Sequence, residues 1–240
     1  MLRVSVLELP ARWGEPEEAL DEVDRLLEAG PTDLAILPEM ALCGYVSPDA
    51  DFDLTCFAEP IDGPTMRAVA EVSRRHQAHL VVPLVLAEDG ALFNAAIVVD
   101  PDGRVVTTYR KRHPWIPERW ATAGALAPPL FDIDGITATI AICYDGHFLP
   151  DDAADVLQKA DLLVFTSAWV DEEDSRVPLL RGIARHFGVT VANANWAEGI
   201  VSVSGQGGSC IIDPRGDVVA AVAGPGGGRA DSVVPSRSAR

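Results

Sequence analysis

The sequence is poor in cysteine, in basic residues and in long apolar segments. Its 240 residues include only four cysteines, which show neither the paired spacing of a zinc site nor the density of a disulfide scaffold. No apolar run is long enough to span a membrane, and the first residues do not resemble a secretory signal peptide. We therefore expect a cytoplasmic protein whose cysteines stay reduced.

The scarcity of basic residues also restricts the partners that the protein can bind. The sequence contains 19 Lys and Arg residues and 36 Asp and Glu residues, which gives a formal net charge of −17. This charge argues against nucleic acid and against an anionic membrane as partners, and it suits a neutral or cationic small molecule. A hydrophobic content of 48% is sufficient for the core of one large α/β domain.

The order of predicted elements favours an α/β fold with more strands than helices. Helices are predicted from Pro16 to Gly30, from 64 to 79, from 151 to 159 and from 177 to 187. Several of the strands between them form hairpins, which a purely parallel sheet does not contain. We therefore predict two sheets packed face to face with helices outside, a four-layer αββα sandwich.

The boundaries of the domain follow from composition. No segment between residues 1 and 224 has the character of a linker, so these residues are predicted to form one domain. Residues 225–240 are rich in Gly, Ser and Arg, and we predict that they form a flexible C-terminal tail.

The stretch from Thr137 to Phe148, TATIAICYDGHF, is the strongest candidate for a reactive centre. Its β-branched and small apolar residues predict a buried strand that ends at Cys143, and Tyr144-Asp145-Gly146 supplies a turn. The end of a buried strand is where α/β enzymes usually hold their catalytic groups. The alternative is a packing role, because free cysteines are often simply buried.

Two further predicted strands end in groups that could activate this thiol. Glu39 follows one of them and Lys111 follows another. A partly buried carboxylate could remove the thiol proton, and an ammonium group beside both could stabilise a tetrahedral oxyanion. The alternatives are a solvated strand-end carboxylate for Glu39 and a solvated basic face for Lys111.

Three segments in this order resemble the nitrilase (carbon–nitrogen hydrolase) superfamily, and specifically its amidase-like branch. They read ILPEM, YRKRHPWIPERW and AICYDGHF, and similar segments extend over nearly the whole chain. The resemblance implies that Glu39 is the general base, Lys111 the transition-state stabiliser and Cys143 the nucleophile. It also implies that Glu118 orients the lysine, although Glu118 could instead pair with a nearby arginine. The backbone N–H of Tyr144 would complete the oxyanion hole.

The same resemblance implies the reaction and the partners. Attack of the Cys143 thiolate on a small linear amide or N-carbamoyl amine would release ammonia or an amine, and hydrolysis of the thioester would follow. No metal and no organic cofactor is implied, and a homodimer or higher homo-oligomer is expected. The alternatives are a nitrilase that converts a nitrile into an acid and ammonia, and a catalytically silent interaction domain.

Residues near the predicted strand ends are candidates for the wall of a substrate pocket, with packing as an equal alternative. They are Tyr45, Tyr144, His147, Phe148 and Trp169. The segment Gly-His-Phe after the nucleophile lacks the arginine with which N-carbamoyl amino acid hydrolases hold a carboxylate. The acidic run from Asp171 to Asp174 follows a predicted strand and could favour an amine-bearing substrate, although a solvated charge cluster is the simpler interpretation.

Overall fold

A computed structural model describes residues 1–171, 173–224 and 226–237. Within these residues, two six-stranded mixed sheets pack face to face, and the main helices pack on their outer faces. The predicted four-layer αββα sandwich is therefore confirmed.

The first sheet combines a parallel centre with antiparallel edges. Its strands are, in spatial order, β12 (Gly228–Val234), β1 (Leu2–Glu8), β2 (Leu34–Ile36), β3 (His79–Glu88), β4 (Ala91–Val99) and β5 (Val105–Arg110). The strands β1, β2 and β3 run parallel, and the other neighbours are antiparallel. Two helices cover its outer face, α1 (Pro16–Leu27) and α2 (Pro64–His76).

The second sheet repeats this plan. Its strands are, in spatial order, β11 (Val218–Ala221), β10 (Cys210–Ile212), β9 (Thr190–Asn195), β8 (Leu162–Ser167), β7 (Ile136–Ile142) and β6 (Phe131–Ile133). The parallel strands are β7, β8 and β9. The helices of this half are α3 (Leu149–Asp152), α4 (Ala154–Leu157) and α5 (Arg176–Phe187). Of the described helices, none combines the length and the hydropathy that crossing a bilayer requires.

The strand β3 shows why the central strands are apolar on both faces. Successive side chains of a strand point to opposite faces of the sheet. Leu80 and Val82 accordingly pack beneath the helices α1 and α2, whereas Val81 packs between the two sheets. A strand buried on both faces reads as a continuous hydrophobic run, and this pattern made it recognisable in the sequence.

Two of the predicted helices differ from the structure. The helix predicted over 64–79 ends at His76, because Gln77 adopts a left-handed conformation with φ 51° and His79 already begins β3. The helix predicted over 151–159 is instead the pair α3 and α4, which Ala153 separates with φ −140°. Helical periodicity alone does not reveal such a break in so short a segment.

The flexible tail predicted for residues 225–240 is wrong for the part of it that the structure describes. The strand β12 (Gly228–Val234) pairs with β1 along its full length, and it forms one edge of the first sheet. Further along, the guanidinium of Arg237 donates to the carbonyl of Phe187 at 2.7 Å. Residue 225 and residues 238–240 lie outside the described part of the chain.

Candidate active site

Three of the four residues predicted as catalytic lie at the ends of strands from both sheets; the fourth is Glu118. Glu39 follows β2 and Lys111 follows β5 in the first sheet, whereas Cys143 follows β7 in the second. The backbone N–H of Glu39 donates to the carbonyl of Ser167 in β8, which joins the two sheets at this point. The site therefore lies where the carboxyl ends of the parallel strands of the two sheets meet.

Lys111 is fully buried and contacts two carboxylates. Its side chain is 0% exposed, and its Nζ lies 2.7 Å from Oε1 of Glu39 and 2.6 Å from Oε1 of Glu118. Burial lowers the pKa of Lys111, but the charges of the two carboxylates raise it by more, so the pKa lies above its usual value. The group is therefore an ammonium at every working pH, and the solvated alternative does not hold.

The position of Lys111 is fixed by its backbone as well. Its N–H donates to the carbonyl of Asn94, which extends the pairing of β4 and β5 by one residue. Its carbonyl accepts the N–H of Gly124 at 2.8 Å, and a Cβ at Gly124 would lie only 2.2 Å from the carbonyl oxygen of Arg110. Glycine at this position thus allows the returning segment to approach the strand end closely.

Glu118 is held from several directions and pairs with the lysine, not with an arginine. Its Oε1 accepts the hydroxyl of Tyr45 at 2.7 Å, and its Oε2 accepts the backbone N–H of Trp115 at 3.1 Å. Burial raises the pKa of Glu118, Lys111 lowers it, and the charge of Glu39 raises it again. The net result is a pKa above the usual value of a glutamate.

Asn94 also belongs to the site, although the sequence did not predict it. Its side-chain amide donates to Oε1 of Glu39 at 2.8 Å, and more weakly to Oε1 of Glu118 at 3.4 Å. It is fully buried on β4, between the two carboxylates and the lysine. A signal existed, because Asn94 is the only polar residue in the apolar run of β4, and buried polar side chains normally serve a partner.

Cys143 occupies a strained turn between β7 and a short 3₁₀ segment, Cys143–His147. Its φ of +46° is unusual for a residue with a side chain, and such conformations are concentrated at functional sites. The buried carboxylate of Asp145 holds the turn by accepting the backbone N–H of Ile142 and the hydroxyl of Tyr109. The backbone N–H of His113 donates to the same carboxylate.

The electrostatic environment keeps the resting thiol protonated. Burial raises the pKa of Cys143 well above its usual value; the charge of Glu39 raises it further, and the charge of Lys111 opposes this. A thiol of this kind needs a base at the moment of reaction, since only the thiolate is a strong nucleophile. Oε2 of Glu39 accepts one backbone N–H, from Ala168 at 2.9 Å, so it keeps capacity for a proton.

A small pocket opens at Cys143. Its volume of about 210 Å³ is below the range usual for drug-sized ligands, which favours a small substrate. Ten residues line it: Tyr45, Trp115, Cys143, Tyr144, His147, Ala168, Trp169, Val170, Asp171 and Ser175. Within the described residues, no group of three or more His, Cys, Asp or Glu side chains is arranged to hold a metal ion.

Four of the five predicted pocket residues line this pocket, and one does not. Phe148 instead stacks on the imidazole of His113, with ring centroids 3.9 Å apart. Trp169 is fixed by its backbone N–H, which donates to Oδ1 of Asn195 at 3.0 Å. The side-chain amide of Asn195 also donates to the carbonyls of Gly205 and Gly207, so it links the pocket wall to the loop between β9 and β10, a role that the sequence did not indicate.

The assembled groups suit one class of chemistry. Cys143 lines the pocket, and the buried carboxylate of Glu39 and ammonium group of Lys111 act electrostatically on its thiol. A thiol, a carboxylate and an ammonium group are the set that acyl transfer through a thioester requires. Both charged groups that contact Lys111 are carboxylates, so the buried cluster has an excess of negative charge while the thiol is neutral.

Comparison with known proteins agrees with this geometry. The family model for carbon–nitrogen hydrolases matches residues 3–226 of the chain. The chain is similar to a formamidase from Pseudomonas syringae pv. tomato, at 30% identity over 66% of this chain and 47% of the formamidase. It is similar to a 2-oxoglutaramate amidase from Bacillus subtilis, at 25% identity over 96% of this chain and 88% of that protein. The chain thus spans about half the length of the formamidases it matches.

Solved structures show the same similarity over almost the full chain. An amidase from Nesterenkonia sp. AN1 aligns with a TM-score of 0.85 and 26% identity, over 98% of this chain and 93% of the amidase. A glutamate-to-glutamine mutant of that amidase aligns with a TM-score of 0.84 and 25% identity, over 98% of this chain and 94% of the mutant. In that mutant, acrylamide has undergone Michael addition at the active-site cysteine.

Proposed function

Because this chain belongs to the carbon–nitrogen hydrolase family, we propose that it hydrolyses the carbon–nitrogen bond of a small linear amide or N-carbamoyl amine through a thioester on Cys143. The observation that carries the proposal is the buried Lys111, which contacts both Glu39 and Glu118 beside the pocket that Cys143 lines. Two buried carboxylates and one lysine are a costly arrangement for folding alone, which supports a role in catalysis.

In the first half of the reaction, Glu39 takes the proton of the Cys143 thiol as the thiolate attacks the carbonyl carbon. The carbon–sulfur bond forms, and the carbonyl electron pair moves onto oxygen. The protonated Glu39 then gives its proton to the departing nitrogen, so the carbon–nitrogen bond breaks and ammonia or an amine leaves. The product is an uncharged thioester on Cys143.

In the second half, water attacks the thioester. Glu39 accepts a proton from this water, the new carbon–oxygen bond forms, and the carbon–sulfur bond breaks with return of a proton to the sulfur. A carboxylic acid leaves, or a carbamic acid when the substrate is an N-carbamoyl amine. Atoms and charges balance over the cycle with water as the only second substrate.

Lys111 and Glu118 serve the oxyanion in this mechanism. An ammonium group has three donors, of which two are directed to Glu39 and Glu118, so the third is available to the substrate oxygen. Glu118 keeps the ammonium group in place, and the backbone N–H of Tyr144 supplies the second donor to the oxyanion. The similarity to a formamidase, a 2-oxoglutaramate amidase and a Nesterenkonia amidase supports an amide as substrate, in preference to a nitrile.

The cellular setting and the assembly are part of the proposal. All four cysteines are free thiols, which supports a reducing compartment, and we place the protein in the cytoplasm. We also propose a homodimer or a higher homo-oligomer formed through helices near the site. Size-exclusion chromatography with light scattering tests this, and a mass equal to one chain at micromolar concentration contradicts it.

Intact-protein mass spectrometry tests the chemistry. The protein is incubated with a panel of small amides, N-carbamoyl amines and nitriles, and ammonia release is measured in parallel. We expect an acyl adduct on the wild-type protein and none on Cys143→Ala, together with release of ammonia or amine. If neither adduct nor product forms over a broad panel, and iodoacetamide also fails to label Cys143, the silent-domain alternative replaces this proposal.

A further inference from the structure

The wall of the active-site pocket carries a negative charge that the proposed mechanism does not use. Asp171 lines the same small pocket as Cys143 and follows β8 by only a few residues. Its pKa is lowered to about 2, chiefly by a hydrogen bond from Ser175 and then by the backbone N–H groups of Glu173 and Ser175. The carboxylate is therefore ionised at every pH at which the enzyme would be assayed.

No basic side chain neutralises this carboxylate in the described part of the chain. No Lys, Arg or His nitrogen of a described residue lies within 4.0 Å of Asp171, and neither Lys nor Arg is among the residues that line the pocket. The neighbouring Asp174 differs, because its carboxylate lies 3.5 Å from the buried guanidinium of Arg176 and it does not line the pocket. The acidic run thus separates into one residue that faces the site and others that do not; Glu172 lies outside the described residues.

The hydrogen bonds of Asp171 leave it free to bind a ligand. Oδ1 accepts the backbone N–H of Glu173 at 3.2 Å, and Oδ2 accepts the backbone N–H of Ser175 at 3.1 Å. Each carboxylate oxygen therefore keeps acceptor capacity for a further donor. The same contacts would be made by a purely structural turn, so they do not by themselves indicate a ligand.

Trp169 supplies the second observation. It is buried at the pocket wall, and its indole Nε1 makes no hydrogen bond with any described residue, although it is near enough to Asp171 to help lower the pKa of that carboxyl. This N–H is not a site for an ammonium group, which has no acceptor to offer it; its role at the wall is to help keep the Asp171 carboxylate ionised. Aromatic rings of Trp115, Tyr144 and Trp169 line the remaining wall, and such rings attract cations.

We propose that Asp171 selects small amides that carry a positively charged amino group, which binds at the Asp171 and Trp169 wall while the amide carbon reaches Cys143. This inference rests on the proposed amide hydrolysis and adds the substrate class. An ammonium group would pair with the carboxylate and lie against the aromatic rings, while the amide end occupies the reactive side. An amide with a carboxylate in the same position would be repelled by Asp171.

Matched substrate series test the proposal. The wild-type enzyme is assayed at pH 8 with ω-amino amides of two to five carbons, with n-alkyl amides in which a methyl group replaces the ammonium group, and with the corresponding ω-carboxy amides. At this pH the amino group of the longer amides is an ammonium ion, whereas the two-carbon member carries an α-amino group that is partly neutral. We expect kcat/KM for the best amino amide to exceed that of its methyl counterpart by roughly five- to tenfold.

Two variants in the same turn distinguish an effect of the Asp171 charge from an effect of a disturbed turn. Asp171→Asn keeps an oxygen that can accept a backbone N–H, and Glu173→Gln removes an exposed charge that does not line the pocket. We expect Asp171→Asn to bring the ratio of kcat/KM for the amino amides to that for the n-alkyl amides close to one, and to improve kcat/KM for the ω-carboxy amides. Glu173→Gln should retain the wild-type preference.

The outcomes distinguish this inference from the proposed function. If the wild-type enzyme hydrolyses amino and alkyl amides equally well, or if Asp171→Asn lowers activity on both series alike, the inference is wrong and the amidase proposal stands. If no amide in any series is hydrolysed, the proposed function itself fails. Thermal unfolding of Asp171→Asn shows whether the loss of preference arises from a misfolded turn.

Discussion

At the scale of single residues, Asn94 connects the two carboxylates of the site. Its amide donates to both Glu39 and Glu118, so Asn94→Ala would leave these buried oxygens with fewer donors. We expect kcat/KM to fall by roughly 10- to 100-fold, and stability by about 1–3 kcal/mol, since buried acceptors lose a hydrogen bond. Steady-state kinetics and urea unfolding measure the two effects.

Asn193→Ala provides the control for Asn94→Ala. Asn193 is also a fully buried asparagine in a strand, but its amide donates to Phe165, Ser167 and Ala194 and to neither catalytic carboxylate. We expect a similar loss of stability with a much smaller loss of kcat. Equal losses of kcat in the two variants would show that Asn94 acts only through general stability.

Because the charge of Glu39 raises the pKa of Cys143, we expect Glu39→Gln to slow the turnover of amides but to speed the alkylation of the thiol. Turnover of amides needs the proton transfers of Glu39, so kcat/KM should fall by about 10²- to 10⁴-fold. Alkylation by iodoacetamide needs only the thiolate. Removing the negative charge lowers the pKa of Cys143, so the thiolate fraction at pH 7–8 should increase and alkylation should become faster.

The pH dependence of alkylation provides the measurement. For the wild-type protein the rate should rise with pH without levelling off up to about pH 9, because the pKa of the thiol lies well above its usual value. For Glu39→Gln the profile should shift to lower pH. A shift to higher pH, or an unchanged profile, would contradict the assigned electrostatic effect of Glu39.

The catalytic residues could be predicted from the sequence for a local reason. Glu39, Lys111 and Cys143 each follow a strand that its apolar residues make recognisable, and each stands in a motif. Asn94 could not be assigned in this way, because its partner Glu39 lies 55 residues away along the chain. The sequence also could not tell which residue of the acidic run lines the pocket. Asp171 does and Asp174 does not, and this depends on the direction of each side chain, which composition does not contain.

At the scale of elements, the turn after β7 is packed too tightly for a larger residue at Gly146. A Cβ added there would lie 3.1 Å from the ring of Phe165 and 3.3 Å from the side chain of Leu179. We expect Gly146→Ala to cost about 1–3 kcal/mol through overpacking and to lower kcat, since the turn carries Cys143. Differential scanning calorimetry and steady-state kinetics test both effects.

The matched control is Gly182→Ala in the helix α5. Gly182 is exposed, and a Cβ added there meets no atom within 4 Å. Because alanine is the better helix former, this change should stabilise the protein by about 0.5–1 kcal/mol and leave kcat unchanged. If Gly146→Ala behaves like Gly182→Ala, the turn is not closely packed against α5 and β8.

Most of the elements could be predicted because their periods are local. The helices α1, α2 and α5 show apolar residues at helical spacing, and the central strands are short apolar runs bounded by turn residues. The break between α3 and α4 could not be predicted, because four-residue helices are too short to show a helical period. Their ends depend on contacts with the rest of the chain.

At the scale of the whole molecule, the last described strand completes the first sheet. Two neighbouring residues of β12 allow a matched test of this pairing, because Val234 is 1% exposed and Val233 is 52% exposed. Val234→Asp would bury a charge between the sheets and should lower stability by about 3–5 kcal/mol. Val233→Asp should change it by no more than about 0.5 kcal/mol.

Thermal unfolding of the two valine variants gives the measurement. A large difference in melting temperature between them supports the paired strand. Two variants that both melt like the wild-type protein would instead support the flexible tail expected from composition. The composition was misleading because Gly, Ser and Arg also occur in edge strands, and the partner of this strand lies at the other end of the sequence.

The pairing of β1 with β12 also determines the order in which the molecule can fold. Ser5 donates to Asp231 at 2.5 Å although the two residues are 226 positions apart along the chain. Contacts of such long range have a high entropic cost of loop closure and slow the folding of a domain. During synthesis, β1 leaves the ribosome long before its antiparallel partner exists, so one side of it stays an open strand edge throughout translation. The nascent chain therefore has an exposed site for mispairing that disappears only when Gly228–Val234 arrives.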